Sequence, residues 1–251
     1  AYAAGVFALK VSANPLLGLM VGACAGSVVA GLSAWLVLRS HGLTAVMITV
    51  AIAQLLYELA SKSRSVTGGD DGLSGFSMQP LLGLFEFDFL GRTGYWYAFT
   101  VLVIVFAMLR RMVRSPFGLT LEGLREDKSR MEALGCRVSR QLGIAYVISG
   151  AIAGLAGALS AQITQVVGLS SLSFSLSAEA LVMLVLGGQG RLWGALAGTA
   201  VFMSVHHVAS AFDPMRWMLV IGVMLLVMVL FMPGGISGVV CSIAARVRRR
   251  V

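Results

Sequence analysis

Seven apolar stretches, none interrupted by proline, constrain this 251-residue chain more than any other feature. They run from Leu16 to Leu38, Leu43 to Ala60, Tyr95 to Leu109, Leu142 to Val167, Leu176 to Gly187, Leu192 to Phe212 and Trp217 to Met232. About 20 apolar residues in a helix cross the hydrocarbon core of a bilayer. Pro15, Pro80, Pro116, Pro214 and Pro233 all fall at segment ends or between segments, where they cost no helix its hydrogen bonds. The predicted fold is therefore all-α, a polytopic transmembrane helical bundle of about seven membrane segments forming one domain over 1–251. Charged residues make up 12% of the chain, against about a quarter in soluble domains, which excludes an ordinary soluble enzyme. The segment from Leu176 to Gly187 is short, and two readings stand side by side: a tilted short span, or a re-entrant helix whose freed backbone groups line a wet cavity.

The net charge of +8 is concentrated in two places. Between Arg110 and Arg140, eight basic residues face four acidic ones, and Arg246, Arg248, Arg249 and Arg250 form a basic tail. The positive-inside rule puts both in the cytoplasm and leaves residues 61–94 outside, where Asp70, Asp71, Glu86 and Asp88 outnumber Lys62, Arg64 and Arg92. A nucleic-acid role for the tail would need a soluble domain to carry it, so no nucleic-acid partner is expected. Cys24, Cys136 and Cys241 share no oxidising compartment and form no ligand spacing, so neither disulfide nor metal site is predicted. The chain begins at Ala1 with no signal peptide visible, and its N-terminus is expected to be missing.

Small residues recur at every fourth position in Gly18, Gly22, Gly26, in Gly150, Gly154, Ala158, and in Gly190, Gly194, Gly198. Such stripes let helix backbones approach closely, and packing of the bundle or of a partner subunit is the expected role. The uncharged polar residues Thr49, Gln54, Gln162 and Gln165 lie at membrane depth, and with Glu179 they are candidates to line a translocation path. Helix–helix hydrogen bonding is the competing reading.

Chemistry for catalysis is sparse, and no catalytic residue is assigned. The three lysines follow Leu9, Ser61 and Asp127, so the Gly-Lys of a phosphate-binding loop is missing and this chain is not expected to hydrolyse ATP. Two Gly-x-Ser-Gly pieces, at 72–75 and 235–238, together with His206 or His207 raise an intramembrane serine protease. Both serines lie in loops or at a segment end, and Gly-Ser turns are common punctuation. Adjacent histidines point about 100° apart on a helix and make a poor metal pair. A proton-coupled secondary transporter is the stronger alternative, but it needs a carboxylate at the midplane, and Glu58 and Glu179 both lie near outer segment ends. The stretch Thr67 to Gly72 lacks the spaced oxygen ligands of a calcium loop and reads as a glycine-rich turn.

The basic loop is the most informative stretch. Ser115-Pro116-Phe117-Gly118 ends one element, Thr120 is placed to cap a helix and Gly135 to stop it. Leu121, Leu124, Met131 and Leu134 then fall at helical spacing among charges, predicting one amphipathic cytoplasmic helix from about Thr120 to Leu134. Such a helix either lies on anionic membrane lipid or docks into a groove on a soluble partner.

At these residues the chain resembles the permease subunit of ABC importers for branched-chain amino acids. Three stretches carry the resemblance: TGGDDGLSG at 67–75, SPFGLTLEGLREDKSRMEALGCRVSRQLGIAYVISGAIAGLAG at 115–157, and LVMLVLGGQGRLWGALAG at 181–198. Glu132-Ala133-Leu134-Gly135 is similar to the Glu-Ala-x-Gly core of the cytoplasmic loop through which such permeases engage their ATPase. The resemblance implies a bacterial inner-membrane importer working by alternating access, with a second permease subunit, two cytoplasmic ATPase subunits that bind ATP and Mg, and a periplasmic substrate-binding protein. Coupling would involve Leu121, Leu124, Arg125, Glu126, Met131, Glu132, Ala133, Leu134 and Gly135. Relatives also import urea or short amides, and the binding protein sets most of the specificity. Ala1 to Lys10 looks like the end of a membrane helix that family members precede with others, so further helices are expected upstream.

Overall fold

The computed structural model describes residues 1–40, 42–75, 92–188, 190, 192–212 and 222. The elements in chain order are α1 (Tyr2–Lys10), α2 (Pro15–Val37), α3 (Leu43–Lys62), α4 (Arg64–Thr67), β1 (Leu73–Ser74), α5 (Arg92–Val113), α6 (Pro116–Glu126), α7 (Lys128–Ala133), α8 (Val138–Thr164), β2 (Val166–Val167), α9 (Phe174–Gly187) and α10 (Leu192–Phe212). Among the described residues, five helices are long and apolar enough to cross a membrane, namely α2, α3, α5, α8 and the Leu192–Ser210 part of α10. The expected segment Trp217 to Met232, the arginine tail and most of residues 61–94 beyond Gly75 lie outside the described residues.

The chain divides into two compact units, 1–173 and 174–251. The first is organised by α2 lying antiparallel along α8. Pairs that approach from the two helices are Gly18 with Gln162, Gly22 with Ala158 and Gly154, Gly26 with Gly150, Ser33 with Tyr146, and Leu38 with Gly143. These are the two small-residue stripes singled out above, and they form one seam. A Cβ placed on Gly22 would lie 2.5 Å from the Ala158 Cβ and 2.8 Å from the Gly154 carbonyl oxygen, so the backbones touch where glycine leaves room. α1 packs at one end of this pair, with Ala4 buried against Leu19, Tyr97 and Ala158.

The antiparallel seam fixes which loops share an end. The exit of α8, the start of α2 and the turn after α3 are together at one end, and α6 and α7 are at the other. Pairing of β1 with β2, Leu73 opposite Val167 and Ser74 opposite Val166, ties the glycine-rich loop directly to the exit of α8. Among the described residues the fold is thus all-α except for this two-residue ribbon, against which Leu73, Val167 and Ala161 bury together. Gly72 has φ +71°, and a Cβ there would lie 2.5 Å from the Val167 carbonyl oxygen, which explains the glycine. Asp70 accepts a hydrogen bond from the Ser61 hydroxyl at 2.8 Å, closing the loop on α3. α3 and α5 bury only 6% of their spanning windows within the chain, leaving apolar flanks for lipid or another subunit.

In the second unit α9 and α10 form a helical hairpin. Gly188 and Gly190 take positive φ at the turn, and Gly198 and Gly194 of the third stripe face Gly187 at the end of α9. The 14 residues of α9 are a continuous helix of about 21 Å at 1.5 Å per residue, short of the roughly 30 Å core.

Candidate coupling site

The basic loop folds as two helices, which corrects the expectation of one from about Thr120 to Leu134. Pro116 occupies the first turn of α6 after Ser115, so this proline starts the element and ends none. Thr120 is inside α6, its hydroxyl donating to the Phe117 carbonyl at 2.7 Å. The break comes at Asp127, whose backbone is extended at φ −153° and ψ 108°. Its carboxylate accepts the Arg130 N–H at 3.1 Å and caps α7. The chain then turns back, and Met131 packs over Gly123, with its Sδ 2.8 Å from where a Cβ would stand.

This fold also changes the apolar stripe. Leu124 is only 2% exposed, on a helix packed against both α7 and α8, and Leu121 and Met131 are half-buried. The chain itself therefore covers most of the stripe that was expected to meet lipid or a soluble partner. What remains outward is Leu134, 75% exposed, with Glu132, Ala133, Arg125 and Glu126 also exposed. These residues sit beside a tight helix stop. The Cys136 N–H donates to the Met131 carbonyl at 3.0 Å and the Gly135 N–H to that of Glu132 at 2.9 Å, with Gly135 at φ +84°. That is a Schellman cap, which presents Glu132-Ala133-Leu134 on a fixed corner.

At the opposite end of the unit, Gln162 is sealed from solvent at 0% exposure. Its Nε2 donates to the Pro15 carbonyl at 2.8 Å, and its Oε1 accepts from the Tyr97 hydroxyl at 2.8 Å. One side chain thereby joins α2, α5 and α8, so in this conformation Gln162 is a helix–helix cross-link. Tyr97 and Pro15 were missed in the sequence; a tyrosine inside an apolar span was the available signal for the first. Gln165 takes φ +54° as the left-handed residue ending α8, its N–H on the Ala161 carbonyl at 2.9 Å. The Thr49 hydroxyl donates to Val46 in its own helix at 2.7 Å, Gln54 is exposed on α3, and Glu179 is half-buried on α9 in the second unit. Gln54 and Gln162 are not brought together.

Replacing Gln162 by Leu is expected to lower stability in detergent by about 0.6–2 kcal/mol, the range for interhelical hydrogen bonds in membranes. Thermal unfolding of Gln162→Leu, Tyr97→Phe and the double variant measures it. The double variant should cost less than the two singles together, because they break the same bond. Gln54→Leu should leave unfolding unchanged, and its uptake tests the path role.

Ser74 lies in the ribbon opposite Val166, and His206 stacks on Phe202 at 6.2 Å between ring centres. Among the described residues, no group of three or more His, Cys, Asp or Glu is placed to hold a metal ion.

Long apolar helices, glycine seams and a charged helical corner at one end define a multi-pass helical membrane protein. Residues 1–230 match the family model described as branched-chain amino acid transport system / permease component, and the chain belongs to that family. It is 29% identical to the high-affinity branched-chain amino acid transport system permease protein LivM of Escherichia coli (strain K12), over 88% of this chain and 56% of that protein. It is 21% identical to the probable branched-chain amino acid transport permease protein LivM of Methanocaldococcus jannaschii, over 74% of this chain and 57% of the relative. To the LivH permease protein of Salmonella typhimurium it is 30% identical, over 49% of this chain and 40% of the relative. The chain spans about half the length of the LivM relatives it matches. No solved structure matches.

Proposed function

We propose that this chain is the membrane-spanning subunit of an ATP-driven importer that carries branched-chain or other small amino acids across the bacterial inner membrane. The carrying observation is the α6–α7 corner: in a member of a transport permease family, a rigid, charged helix pair stands at one end of a bundle whose own sequence has no Gly-Lys to hold ATP. The corner engages a cytoplasmic ATPase through Leu134 and its exposed neighbours. Partner ATPases bind ATP and Mg, a second permease subunit completes the bundle, and a periplasmic binding protein delivers substrate. Alternating access follows when ATP binding and hydrolysis in the partners move the corner, because α5 leads straight into α6 and α8 leaves directly after α7.

The topology makes the first test. The charge distribution supports a cytoplasmic α6–α7 and an external glycine-rich loop, and the fold puts these at opposite ends of the first unit. Asp70→Cys should react with an impermeant thiol reagent added outside intact cells, and Lys128→Cys should react after lysis alone. The reverse pattern would overturn the orientation. The function itself is tested in reconstituted vesicles, where uptake should require the ATPase subunits and ATP. Uptake by this chain with a proton gradient and no ATPase would establish a secondary transporter instead.

A further inference from the structure

The aromatic residues mark where the bilayer lies. Tyr95, Trp96 and Phe99 are exposed at the start of α5, Tyr95 stacked on Phe99 at 6.4 Å and Trp96 edge-on to them at 5.8 and 6.1 Å. Tyr97 in their midst bonds Gln162, so this belt sits level with Gln162 on α8. Exposed Trp35 carries the Arg39 guanidinium 4.3 Å from its ring centre, at the far end of α2 and beside the α8 stretch Gly143 to Tyr146. Aromatic belts sit at headgroup level, and from Gln162 to Gly143 a helix rises about 28 Å, close to the roughly 30 Å thickness of the core. The inner headgroup plane therefore crosses α8 near Gly143.

An open groove of about 600 Å³ lies at this plane, between α6, α7 and the first turns of α8. Phe117, Met131, Leu134 and Ile144 give it apolar walls, Arg137 and Arg140 line it, and among the described residues no acidic one does. Gln141 also lines it. We propose that the groove seats an inner-leaflet anionic phospholipid. The phosphate lies at Arg137 and Arg140, and the acyl chain starts along Ile144. The order of residues on α8 favours a lipid over free phosphate: the arginines are on the water side of the plane and Ile144 is on the hydrocarbon side. A small anion would leave the apolar walls unfilled. This site rests on the membrane fold and on the orientation argued from charge above; Leu134, 75% exposed, is its rim, where the lipid borders the proposed ATPase contact.

Cys136 lines the groove and is half-buried, which makes it a reporter. With Cys24→Ser and Cys241→Ser, the full chain is placed in nanodiscs of phosphatidylcholine or of phosphatidylcholine with phosphatidylglycerol, and labelled with an uncharged maleimide. Phosphatidylglycerol should slow labelling of Cys136 several-fold. A Ser129→Cys reporter on α7, with Cys136→Ser, should keep its rate. Each arginine near an anionic surface contributes about fivefold in affinity, so Arg137→Gln with Arg140→Gln should remove the protection and the paired lysine substitutions should retain it. Equal slowing of both reporters would overturn the site as a mere surface-charge effect. Inorganic phosphate protecting Cys136 in phosphatidylcholine discs would overturn it in favour of a soluble anion. Equal rates in the two discs would overturn it and leave the groove to a protein partner.

Discussion

Gly22→Ala is expected to destabilise the protein by about 1–3 kcal/mol, the usual cost of forcing a methyl group into a packed interior. The added carbon would stand 2.5 Å from the Ala158 Cβ and 2.8 Å from the Gly154 carbonyl oxygen, and real Cβ contacts essentially never fall below 3.0 Å. Neither neighbour is the free end of a flexible side chain, so the two helices have to move apart. Separation cannot stay local, since the same seam holds Gly26 against Gly150 and, at its end, Gln162 on the Pro15 carbonyl. Gly31→Ala on the same helix is the control, for its nearest contact is the Val147 Cγ2 at 3.8 Å. There the alanine should be neutral or stabilising by about 0.5–1 kcal/mol through reduced backbone entropy. The measurement is thermal unfolding in detergent, with the yield of monodisperse protein beside it. Equal behaviour of the two variants would remove the seam as the organising contact. Gly22→Leu enlarges the effect and should leave little folded protein.

The seam shows how far the sequence could be read. Stripes at Gly18, Gly22, Gly26 and at Gly150, Gly154, Ala158 announced close-approach surfaces, because only small residues tolerate touching backbones. Nothing in their spacing said that one stripe would meet the other. Spans were legible for the same one-dimensional reason: Leu16 to Leu38 became Pro15–Val37, and Leu43 to Ala60 became Leu43–Lys62. Boundaries drifted where a helix continues into charges, as at Arg110 and Arg111 of α5 and Arg140 of α8, since hydropathy falls before the hydrogen bonding stops. The β1–β2 ribbon was invisible, two residues being too few for alternation to register. At the candidate sites, Gln162 was noticed as a polar group at depth, but its partner Tyr97 is 65 residues away in sequence. The break at Asp127 involves no glycine or proline, and the helical spacing of Leu121, Leu124, Met131 and Leu134 concealed it.

Gly135→Asp should leave the protein in the membrane and well folded while abolishing uptake and loosening its co-purification with the ATPase. The argument begins with the backbone. Gly135 stands at φ +84°, and nothing lies within 4 Å of where its Cβ would be, so a side chain there meets strain and no clash. The left-handed conformation costs a residue with a Cβ roughly 1–2 kcal/mol. That is small beside the stability of a bundle, but the local cap has only two backbone bonds to set against it, from Gly135 to Glu132 and from Cys136 to Met131. A shift of that size changes the population of the capped corner by about five- to thirtyfold. When the cap opens, Glu132, Ala133 and Leu134 lose their common orientation, and the surface proposed to fit the ATPase becomes an ensemble that has to be ordered on binding. Asparagine tolerates left-handed backbone better than most residues, so Gly135→Asn should retain part of the uptake, whereas Gly135→Val should lose as much as Gly135→Asp. This order separates backbone geometry from charge, because asparagine and valine are both uncharged. Unfolding temperature should barely change across the three variants, since the backbone contacts of the α2–α8 seam, from Gly22 and Gly26 to Gly150, Gly154 and Ala158, do not include the corner. Normal uptake and ATPase co-purification in Gly135→Val would remove the α6–α7 corner from the coupling path.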